Sequence, residues 1–446
     1  MQRAPRALMQ FRARLQTRVF SEVASGATPL DARSKGITMA NRTELDRAGS
    51  DRTARVLVGS AVGVLALAGA VATAAAVLSV IVARTVIIPP SRRTDDIHIL
   101  ALDQADSTIV LSSTPDSRLP GEYSFWFSGD TGHVRVGDII VQDARTVTRS
   151  IEAPDFGDLA AAKRGRFNGW FYLTPDDLHM PYEEVQIRTP LGDAPAWLIP
   201  AERPNSTRWM IGVHGRAVRR PEALRGVLPF RAEGFTSLIV SYRNDGEAPR
   251  SGDYRYALGD REWLDVEAAM RYALDHGAEE IVLMGWSMGG ATVLQALTRS
   301  VIGDRVIGVV LESPVVDWIA TLDFQSELRR LPTAVRLGVL TLFKHRWGGL
   351  FTGLAEPLDL ERLDFVRRAQ ELDTPILILH SDDDGFVPST ASRELAVARP
   401  DIVSYEAFEI ARHTKLWNYD REKWEGAIRR WIATLPNGAP PKRASL

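Results

Sequence analysis

The chain has 446 residues, of which 45% are hydrophobic and 25% are charged, and its formal net charge is −2. This length exceeds one average domain, and the composition is that of a globular protein. The near-neutral charge argues against a nucleic-acid partner, which usually leaves a basic footprint. Because the sequence has no cysteine, disulfides, Cys-ligated metal sites and thiol nucleophiles are excluded.

Residues 1–55 form a basic arm with eleven Lys and Arg against five Asp and Glu. Few aromatics and scattered Gly, Ser and Thr predict a disordered segment. The next 28 residues, Val56–Ala83, have no ionisable side chain. A helix of about 20 apolar residues crosses a bilayer, so we expect a single transmembrane helix here. The alternative is a cleaved signal peptide, whose apolar core is typically about 7–15 residues.

The distribution of basic residues predicts how this helix is oriented. Lys and Arg mark the cytoplasmic side of a membrane, and the arm is richer in them than the residues after the span. We therefore expect a protein of the cell membrane, with its N-terminus in the cytoplasm and the rest of the chain outside it.

Residues 95–181 show short apolar runs broken by turn residues, which is typical of a small β-rich domain. The predicted strands are Ile97–Leu102, Thr108–Leu111, Tyr123–Phe127, His133–Val136 and Asp138–Val141. No catalytic constellation is evident among them. Four aromatic residues in this region are interpreted as packing residues, namely Trp126, Trp170, Phe171 and Tyr172.

From residue 183 to 436, apolar runs alternate with helical patterns. The runs are Val185–Ile187, Ala196–Ile199, Trp209–Val213, Ser237–Val240, Ile281–Met284, Val306–Leu311, Pro375–Leu379 and Ile402–Phe408. Such alternation predicts an α/β domain in which helices cover both faces of an eight-stranded, mostly parallel sheet. Residues 315–370 interrupt the alternation with a helical insertion, including a predicted helix at Leu328–Phe343. We expect this insertion to form a cap over the carboxyl edge of the sheet.

The sharpest motif is GWSMG at residues 285–289, which follows the strand Ile281–Met284 and precedes a helical pattern. A nucleophile elbow holds its serine in a strained turn between a strand and a helix, and flanking glycines allow the close backbone approach. A chance GxSxG match would lack this context. Ser287 is therefore the predicted nucleophile.

A serine nucleophile needs a base, and the base needs an orienting carboxylate. After such an elbow the acid and then the histidine follow along the chain. His413 is the last of eight histidines and the only one after the aspartate run at residues 382–384. His380 precedes these aspartates and has the wrong order for the base. The sequence thus favours His413 as general base.

Three consecutive aspartates compete for the role of the acid, since all of them follow the strand Pro375–Leu379. Asp384 is the preferred candidate because GFVP follows it directly, and Asp383 is the runner-up. An oxyanion hole needs two backbone N–H donors. The amide of Met288 is one candidate, and the amide of Arg216 in the His214-Gly215-Arg216 loop is the other. His214 is interpreted as a residue that braces this loop.

Residues 183–435 resemble an α/β hydrolase of the serine aminopeptidase and acylglycerol-lipase-like branch. The matching residues are His214-Gly215, GWSMGG at 285–290, the run from His380 to Pro388, and His413-Thr414. Ser381 departs from the usual glycine at its position. The segment at residues 241–246 is similar to the loop that follows the fourth strand in this branch. The N-terminal membrane segment and the β-rich region after it resemble actinobacterial members.

The expected function is cleavage of a carboxylic ester or related acyl bond in a small-molecule substrate. The reaction would pass through an acyl-enzyme and use no cofactor and no metal. A serine peptidase or amidase acting on short peptides is the alternative enzyme. A binding protein that keeps the fold without catalysis is the rival from another class. The motifs predict the fold and the triad but not the substrate.

Overall fold

The computed structural model describes residues 66–90 and 93–436. Its first element is helix α1, Ala66–Ile87, whose 22 residues are long and apolar enough to cross a membrane. The basic arm and the first ten residues of the expected span, 56–65, lie outside the described residues. The helix continues past Ala83 to Ile87. It ends before Pro89 and Pro90, because proline has no amide hydrogen and restricts the preceding residue.

Six strands then close into an antiparallel barrel in the order β1-β2-β5-β4-β3-β6. They are β1 (Ile97–Asp103), β2 (Thr108–Ser112), β3 (Tyr123–Phe127), β4 (Gly132–Gln142), β5 (Thr146–Ile151) and β6 (Arg164–Asn168). The interior is filled by buried aromatic and aliphatic side chains, including Tyr123, Phe125, Phe127 and Phe167. The predicted β-rich region is confirmed, and the barrel closes because β6 pairs with β1.

Two of these strands were not predicted from the sequence. β5 and β6 carry Thr, Arg, Ser and Asn between their apolar residues, and this composition conceals a strand pattern. Arg166 of β6 is tolerated because its guanidinium lies 2.9 Å from the carboxylate of Asp95. In addition, the two short strands predicted at residues 133–141 are one strand, β4, whose register shifts against β5.

The remaining eight strands form one sheet in the order β14-β13-β12-β11-β9-β10-β8-β7. Their bounds are β7 (Glu183–Thr189), β8 (Gly192–Ile199), β9 (Arg208–Val213), β10 (Thr236–Val240), β11 (Glu280–Trp286), β12 (Val306–Glu312), β13 (Ile376–Ser381) and β14 (Val403–Phe408). At one edge, β7 pairs antiparallel with β8, and β8 pairs antiparallel with β10. The six strands β9 to β14 pair in parallel. All eight predicted strands and the mostly parallel sheet are confirmed.

Helices cover both faces of this sheet. The helices after α1 are α2 (Val227–Ala232), α3 (Trp263–Asp275), α4 (Met288–Arg299), α5 (Trp318–Leu328), α6 (Thr333–Lys344), α7 (Gly349–Thr352), α8 (Ser389–Ala398), α9 (Leu416–Tyr419) and α10 (Arg421–Ile432). Single 3-10 turns occur at Pro175–Leu178, Arg220–Gly226, Gly303–Arg305, Arg346–Gly348 and Ala369–Glu371. One core contains α3, α4 and α8, and the core on the opposite face contains α2 and α10. A sheet buried on both faces explains the continuous apolar strands.

Helices α5, α6 and α7 lie between β12 and β13 and form the cap. The helix predicted at Leu328–Phe343 corresponds to α6, but its start was predicted too early, since α5 ends at Leu328 and α6 begins at Thr333. Pro332 precedes α6 and interrupts the pattern, since proline cannot continue a helix from the preceding turn. The Gln325 side chain donates hydrogen bonds to the carbonyls of Gly385 and Phe386, so the cap packs onto the loop after β13.

Candidate active site

The predicted nucleophile lies in a strained turn between β11 and α4. Ser287 has φ 52° and ψ −116°, a conformation that side chains with a Cβ rarely adopt. The flanking glycines are required by close contacts. A Cβ at Gly289 would come within 2.2 Å of the Val213 carbonyl oxygen, and one at Gly285 within 2.5 Å of the Gly289 carbonyl oxygen. The turn therefore presents the Ser287 hydroxyl at the carboxyl edge of the sheet.

Two further predicted residues meet Ser287 in a continuous chain of hydrogen bonds. His413 Nε2 lies 3.0 Å from Ser287 Oγ, and His413 Nδ1 lies 2.7 Å from Asp384 Oδ2. Asp384 is 4% exposed and Ser287 is 5% exposed, whereas the His413 side chain keeps 21% of its surface exposed. This is the geometry in which a histidine can remove a serine proton while a carboxylate fixes its tautomer.

The second oxygen of Asp384 is fully engaged by the backbone. Asp384 Oδ1 accepts hydrogen bonds from the amides of Phe386 at 2.8 Å and Val387 at 2.9 Å. Burial opposes ionisation of this carboxyl, but the neighbouring His413 and His380 outweigh that effect and hold its pKa well below the usual range. Asp384 is therefore a carboxylate in the functional pH range.

The other two aspartates face away from the His413 ring. Asp383 Oδ1 accepts from the Arg412 amide at 2.8 Å and from the Ser381 hydroxyl at 2.7 Å. Asp382 pairs instead with the side chain of Arg393. Asp383, the second candidate for the acid, thus binds the backbone of Arg412 just before His413 and does not contact the His413 ring.

Ser381, which stands where the resembling family usually has glycine, also supports the histidine loop. Its hydroxyl accepts a hydrogen bond from the Ala411 amide at 2.9 Å while it donates to Asp383. His380 lies beneath this loop, fully buried, with its ring nitrogens near Ser392 Oγ at 2.9 Å and the Val387 carbonyl at 3.1 Å. It does not reach Ser287.

The two amides predicted as oxyanion donors, those of Met288 and Arg216, have no hydrogen-bond acceptor among the described residues. The Gly215 amide, by contrast, already has an acceptor, because it donates to Glu222 Oε2 at 2.7 Å. Gly215 also approaches Ser287 closely, since a Cβ there would lie 3.2 Å from the Ser287 Cβ. Glu222, which is 2% exposed, was not predicted from the sequence and fixes this loop from below.

His214 braces the same loop from its other side. Its Nε2 lies 3.2 Å from Asp245 Oδ2, and its ring stacks on the Tyr242 ring with centroids 4.2 Å apart. The Tyr242 hydroxyl donates in turn to the Gly215 carbonyl at 2.9 Å. These contacts give His214 a structural environment remote from the Ser287 hydroxyl.

The side chain of Arg216 binds the carboxyl end of α1. Its Nε donates to the Val86 carbonyl at 2.6 Å, and its Nη2 donates to the Thr85 carbonyl at 2.5 Å. The last carbonyls of a helix have no partner inside the helix and carry partial negative charge, so a guanidinium is a favourable cap. Nothing in the sequence motif indicated this contact.

Ser287 lies between two cavities of different character. An apolar cavity of about 110 Å³ extends toward the cap and is bordered by Trp318, Leu322 and Val339. A larger cavity of about 520 Å³ extends toward the barrel and is bordered by more charged and polar residues, including Asn168 and Lys415. Ser287 thus borders two cavities whose linings differ in polarity.

The barrel contacts the segment that carries His413. Asp116, which follows β2, binds Lys415 at 3.0 Å and Arg412 at 3.4 Å. Burial opposes ionisation of Asp116, but these two cations outweigh it and lower its pKa. Within residues 66–90 and 93–436, no group of three or more His, Asp or Glu side chains is arranged to hold a metal ion.

Comparisons with known proteins agree with this architecture. Residues 210–424 match a family model described as the alpha/beta hydrolase family, and residues 98–168 match one described as a domain of unknown function. The first match encloses Ser287, Asp384 and His413. A comparison with curated proteins finds no match.

Several solved structures are similar to the chain. An esterase of Pyrococcus furiosus has 20% identity, covers 59% of this chain and 95% of its own, and gives a TM-score of 0.45. An esterase of Rhodococcus sp. has 20% identity over 58% of this chain and 100% of its own, with a TM-score of 0.39. A puromycin-hydrolyzing peptidase of Mycobacterium tuberculosis has 20% identity over 75% of this chain and 47% of its own, with a TM-score of 0.43.

Proposed function

The chain is a member of the α/β-hydrolase superfamily, and on that premise we propose that it is a serine hydrolase that cleaves carboxylic esters through an acyl-enzyme. The observation that carries the proposal is the hydrogen-bond chain from Asp384 through His413 to Ser287, at a serine held in a strained elbow. The strained conformation of this serine costs of order 1–3 kcal/mol of stability, and such strain is concentrated at functional sites.

The proposed mechanism is acyl transfer to water. His413 Nε2 takes the hydroxyl proton as Ser287 Oγ attacks the carbonyl carbon of the ester. The developing oxyanion is stabilised by the Met288 and Arg216 amides. The ester C–O bond then breaks, and His413 gives the proton to the leaving alcohol. A water molecule, deprotonated by His413, attacks the acyl-enzyme and releases the acid and free Ser287.

An ester is favoured over a peptide by the environment of Ser287. Most of the surface of the cavity toward the cap is apolar, which suits an acyl chain, although Arg216, Arg329 and Arg336 also border it. A peptidase that selects a free amino terminus needs a carboxylate directed at that amine. Glu222, the acid nearest the oxyanion loop, is already engaged by the Gly215 amide.

We further propose that α1 anchors the protein in the cell membrane, with the N-terminal arm in the cytoplasm and the hydrolase domain outside it. The support is the length and apolar character of α1 and the excess of Lys and Arg before it. Alkaline phosphatase fused after Leu446 should be active in intact cells. Fluorescence of a cytoplasmic reporter at the same position would reverse the orientation.

The reaction class is tested by a panel of p-nitrophenyl esters of increasing acyl length, assayed beside aminoacyl p-nitroanilides with the full-length protein. Ester hydrolysis should exceed anilide hydrolysis at every chain length. Turnover of the anilides with no turnover of the esters would replace the proposal with a peptidase or amidase. Failure of both panels, together with failure to react with a fluorophosphonate, would favour a non-catalytic protein.

A further inference from the structure

The last turns of α1 are packed into the hydrolase domain. Ser79 Oγ donates to the Val335 carbonyl at 3.1 Å, and α6 comes so close that a Cβ at Gly338 would lie 2.3 Å from Ser79 Oγ. Ala83 and Ile87 are completely buried in the same core as the cap and the sheet. The end of α1 is thus an integral part of this domain and not a free tether.

The same turns border the apolar cavity beside Ser287. Val82, Thr85 and Val86 border it together with Trp318, Leu322 and Val339 of the cap helices. The Arg216 side chain holds this end of α1 through the carbonyls of Thr85 and Val86. The helix that is apolar enough to cross a membrane is therefore also a wall of the cavity that reaches the nucleophile.

The size and lining of this cavity indicate its occupant. A dry cavity of about 150 Å³ holds a benzene ring, so about 110 Å³ holds a short length of hydrocarbon chain. The cavity on the other side of Ser287 is bordered by more charged and polar side chains, including Arg412 and Lys415. An ester whose acyl chain lies along α1 would thus place its alcohol group toward the barrel.

The position of the cavity along α1 indicates where the chain enters. The uncharged segment of the sequence ends at Ala83. From Val82 to Val86 the helix rises only about 6 Å. If the residues up to Ala83 cross the hydrocarbon core of the bilayer, the outer boundary of that core lies at the level of the cavity.

The cap surface beside α1 has the character of a membrane-facing surface. Arg84 donates to the Phe351 carbonyl at 3.4 Å, which places the α7 region against α1. Four large apolar side chains of the cap are about half exposed or more, namely Leu337, Trp347, Leu350 and Phe351. Trp347 and Phe351 make an edge-to-face contact at 6.2 Å. Tryptophan is enriched where proteins meet the membrane interface.

We propose that α1 is a wall of the acyl-binding site, and that the acyl chain of the substrate enters this site from the bilayer around α1. The inference rests on the proposed hydrolase function. It assigns Val82 and Val86 as residues that determine acyl-chain specificity, a role separate from holding the protein in the membrane.

The first test uses the full-length protein in phosphatidylcholine vesicles. Val82→Trp should fill the cavity and lower kcat/KM for p-nitrophenyl decanoate at least tenfold. Each excluded methylene removes a factor of about four in transition-state binding. The loss for p-nitrophenyl acetate should be smaller, because acetate has no chain to place in the cavity, so the ratio of decanoate to acetate hydrolysis should fall. Ile81→Trp is the matched control, because Ile81 is the neighbouring residue of α1 and is 55% exposed.

The second test identifies the source of the chain. p-Nitrophenyl palmitate is placed either in the vesicles that hold the protein or in separate vesicles of the same composition. Hydrolysis should be at least ten times faster in the shared vesicles. Equal rates would mean that the chain arrives through water and would overturn bilayer entry.

The outcomes separate this inference from the function on which it rests. If wild-type protein neither hydrolyses the esters nor reacts with a fluorophosphonate, the proposed function fails. If wild-type protein is active and labelled but Val82→Trp keeps the wild-type ratio of decanoate to acetate hydrolysis, α1 is not a wall of the acyl site. In that case the anchor serves only for attachment.

Discussion

The barrel and the α/β sheet both bury polar side chains, but they use them differently. In the barrel, His133 lies between Asp155 and Ser124, with both ring nitrogens 2.7 Å from an oxygen. Arg149 is fully buried and donates to several backbone carbonyls, including that of Leu119 at 2.7 Å. The hydrogen-bonding groups of His133 and Arg149 are thus satisfied within the barrel, where they stabilise its fold.

At the carboxyl edge of the sheet, by contrast, polar groups face a cavity and keep unused hydrogen-bonding capacity. The Ser287 hydroxyl lies beside two amides, those of Met288 and Arg216, that have no acceptor among the described residues. His413 remains partly exposed between Ser287 and Asp384. Buried polar residues alone therefore do not indicate chemistry. What distinguishes the sheet edge is that two amides without an acceptor among the described residues belong to residues adjoining Ser287 and Gly215.

The largest expected effect comes from removing the proposed nucleophile. Ser287→Ala should lower kcat for the preferred ester by about 10⁶-fold, as removal of a triad serine does in other hydrolases. Ser300→Ala is a matched control at the far end of α4 and should keep wild-type activity. Circular dichroism of both variants checks that they are folded. Ester hydrolysis that persists in purified Ser287→Ala would remove the serine from the mechanism.

The next effect separates two adjacent aspartates of the sheet edge. Asp384→Asn should lower kcat by about 10⁴-fold, because an amide favours the wrong tautomer of the histidine. Asp383→Asn keeps an oxygen that can accept from the Arg412 amide, so its loss should be smaller by orders of magnitude. Steady-state kinetics of both variants measures the ranking. The reverse ranking would transfer the role of the acid to Asp383.

Glu222 tests the oxyanion loop without removing a donor. Glu222→Ala leaves the Gly215 amide without its acceptor and allows the loop to move. The expected loss in kcat lies below the factor of about 10²–10³ that follows removal of an oxyanion donor. KM should change little. Glu222→Gln keeps an acceptor oxygen and should recover most of the activity. If the Gln variant is as damaged as the Ala variant, the loop is not positioned in this way.

The smallest expected loss of kcat comes from weakening the contact between the barrel and the segment that carries His413. Asp116→Asn weakens the ion pairs with Lys415 and Arg412 on both sides of His413. An ion pair of this kind contributes about 1 kcal/mol to stability, so the loss in kcat should not exceed about fivefold. Asp106→Asn, in the turn between β1 and β2, is the matched control. Equal kinetics of the two variants would leave the barrel without a role in catalysis.

The same aspartate gives a pH-dependent readout. Because the folded pKa of Asp116 is lowered, its contribution to stability is present above the ordinary carboxyl pKa of about 3.9 and is lost as the pH falls below it. The difference in melting temperature between the wild type and Asp116→Asn should therefore be largest near pH 7 and shrink in acid. A difference that grows in acid would contradict the ion-pair account.

The parts of the molecule that local patterns specify were predictable. Eight apolar runs specify eight strands, since a strand buried on both faces must be apolar throughout. The elbow was predicted because its glycines, its strand and its helix are all contiguous in sequence. The helical insertion was predicted, but the start of α6 was not, because Pro332 stops a helix that the apolar pattern alone would extend back to Leu328.

The supporting contacts were not predictable, because they join segments that no local pattern connects. Ser79 and Val335 are 256 residues apart, and Lys415 and Asp116 are 299 residues apart. Closure of the barrel depends on β6, whose two arginines are untypical of a barrel strand. Arg166 is accommodated by its ion pair with Asp95, which no local pattern indicates. Likewise, the sequence predicted the Arg216 amide as a donor but gave no sign that its side chain binds α1.

The most direct test of the central claim is covalent labelling of the full-length protein by a fluorophosphonate, followed by mass spectrometry of the modified peptide. We expect one modified residue, Ser287, with labelling lost in Ser287→Ala and strongly slowed in Asp384→Asn. Ester hydrolysis by a protein that carries the label on a different residue, or that carries no label, would contradict it.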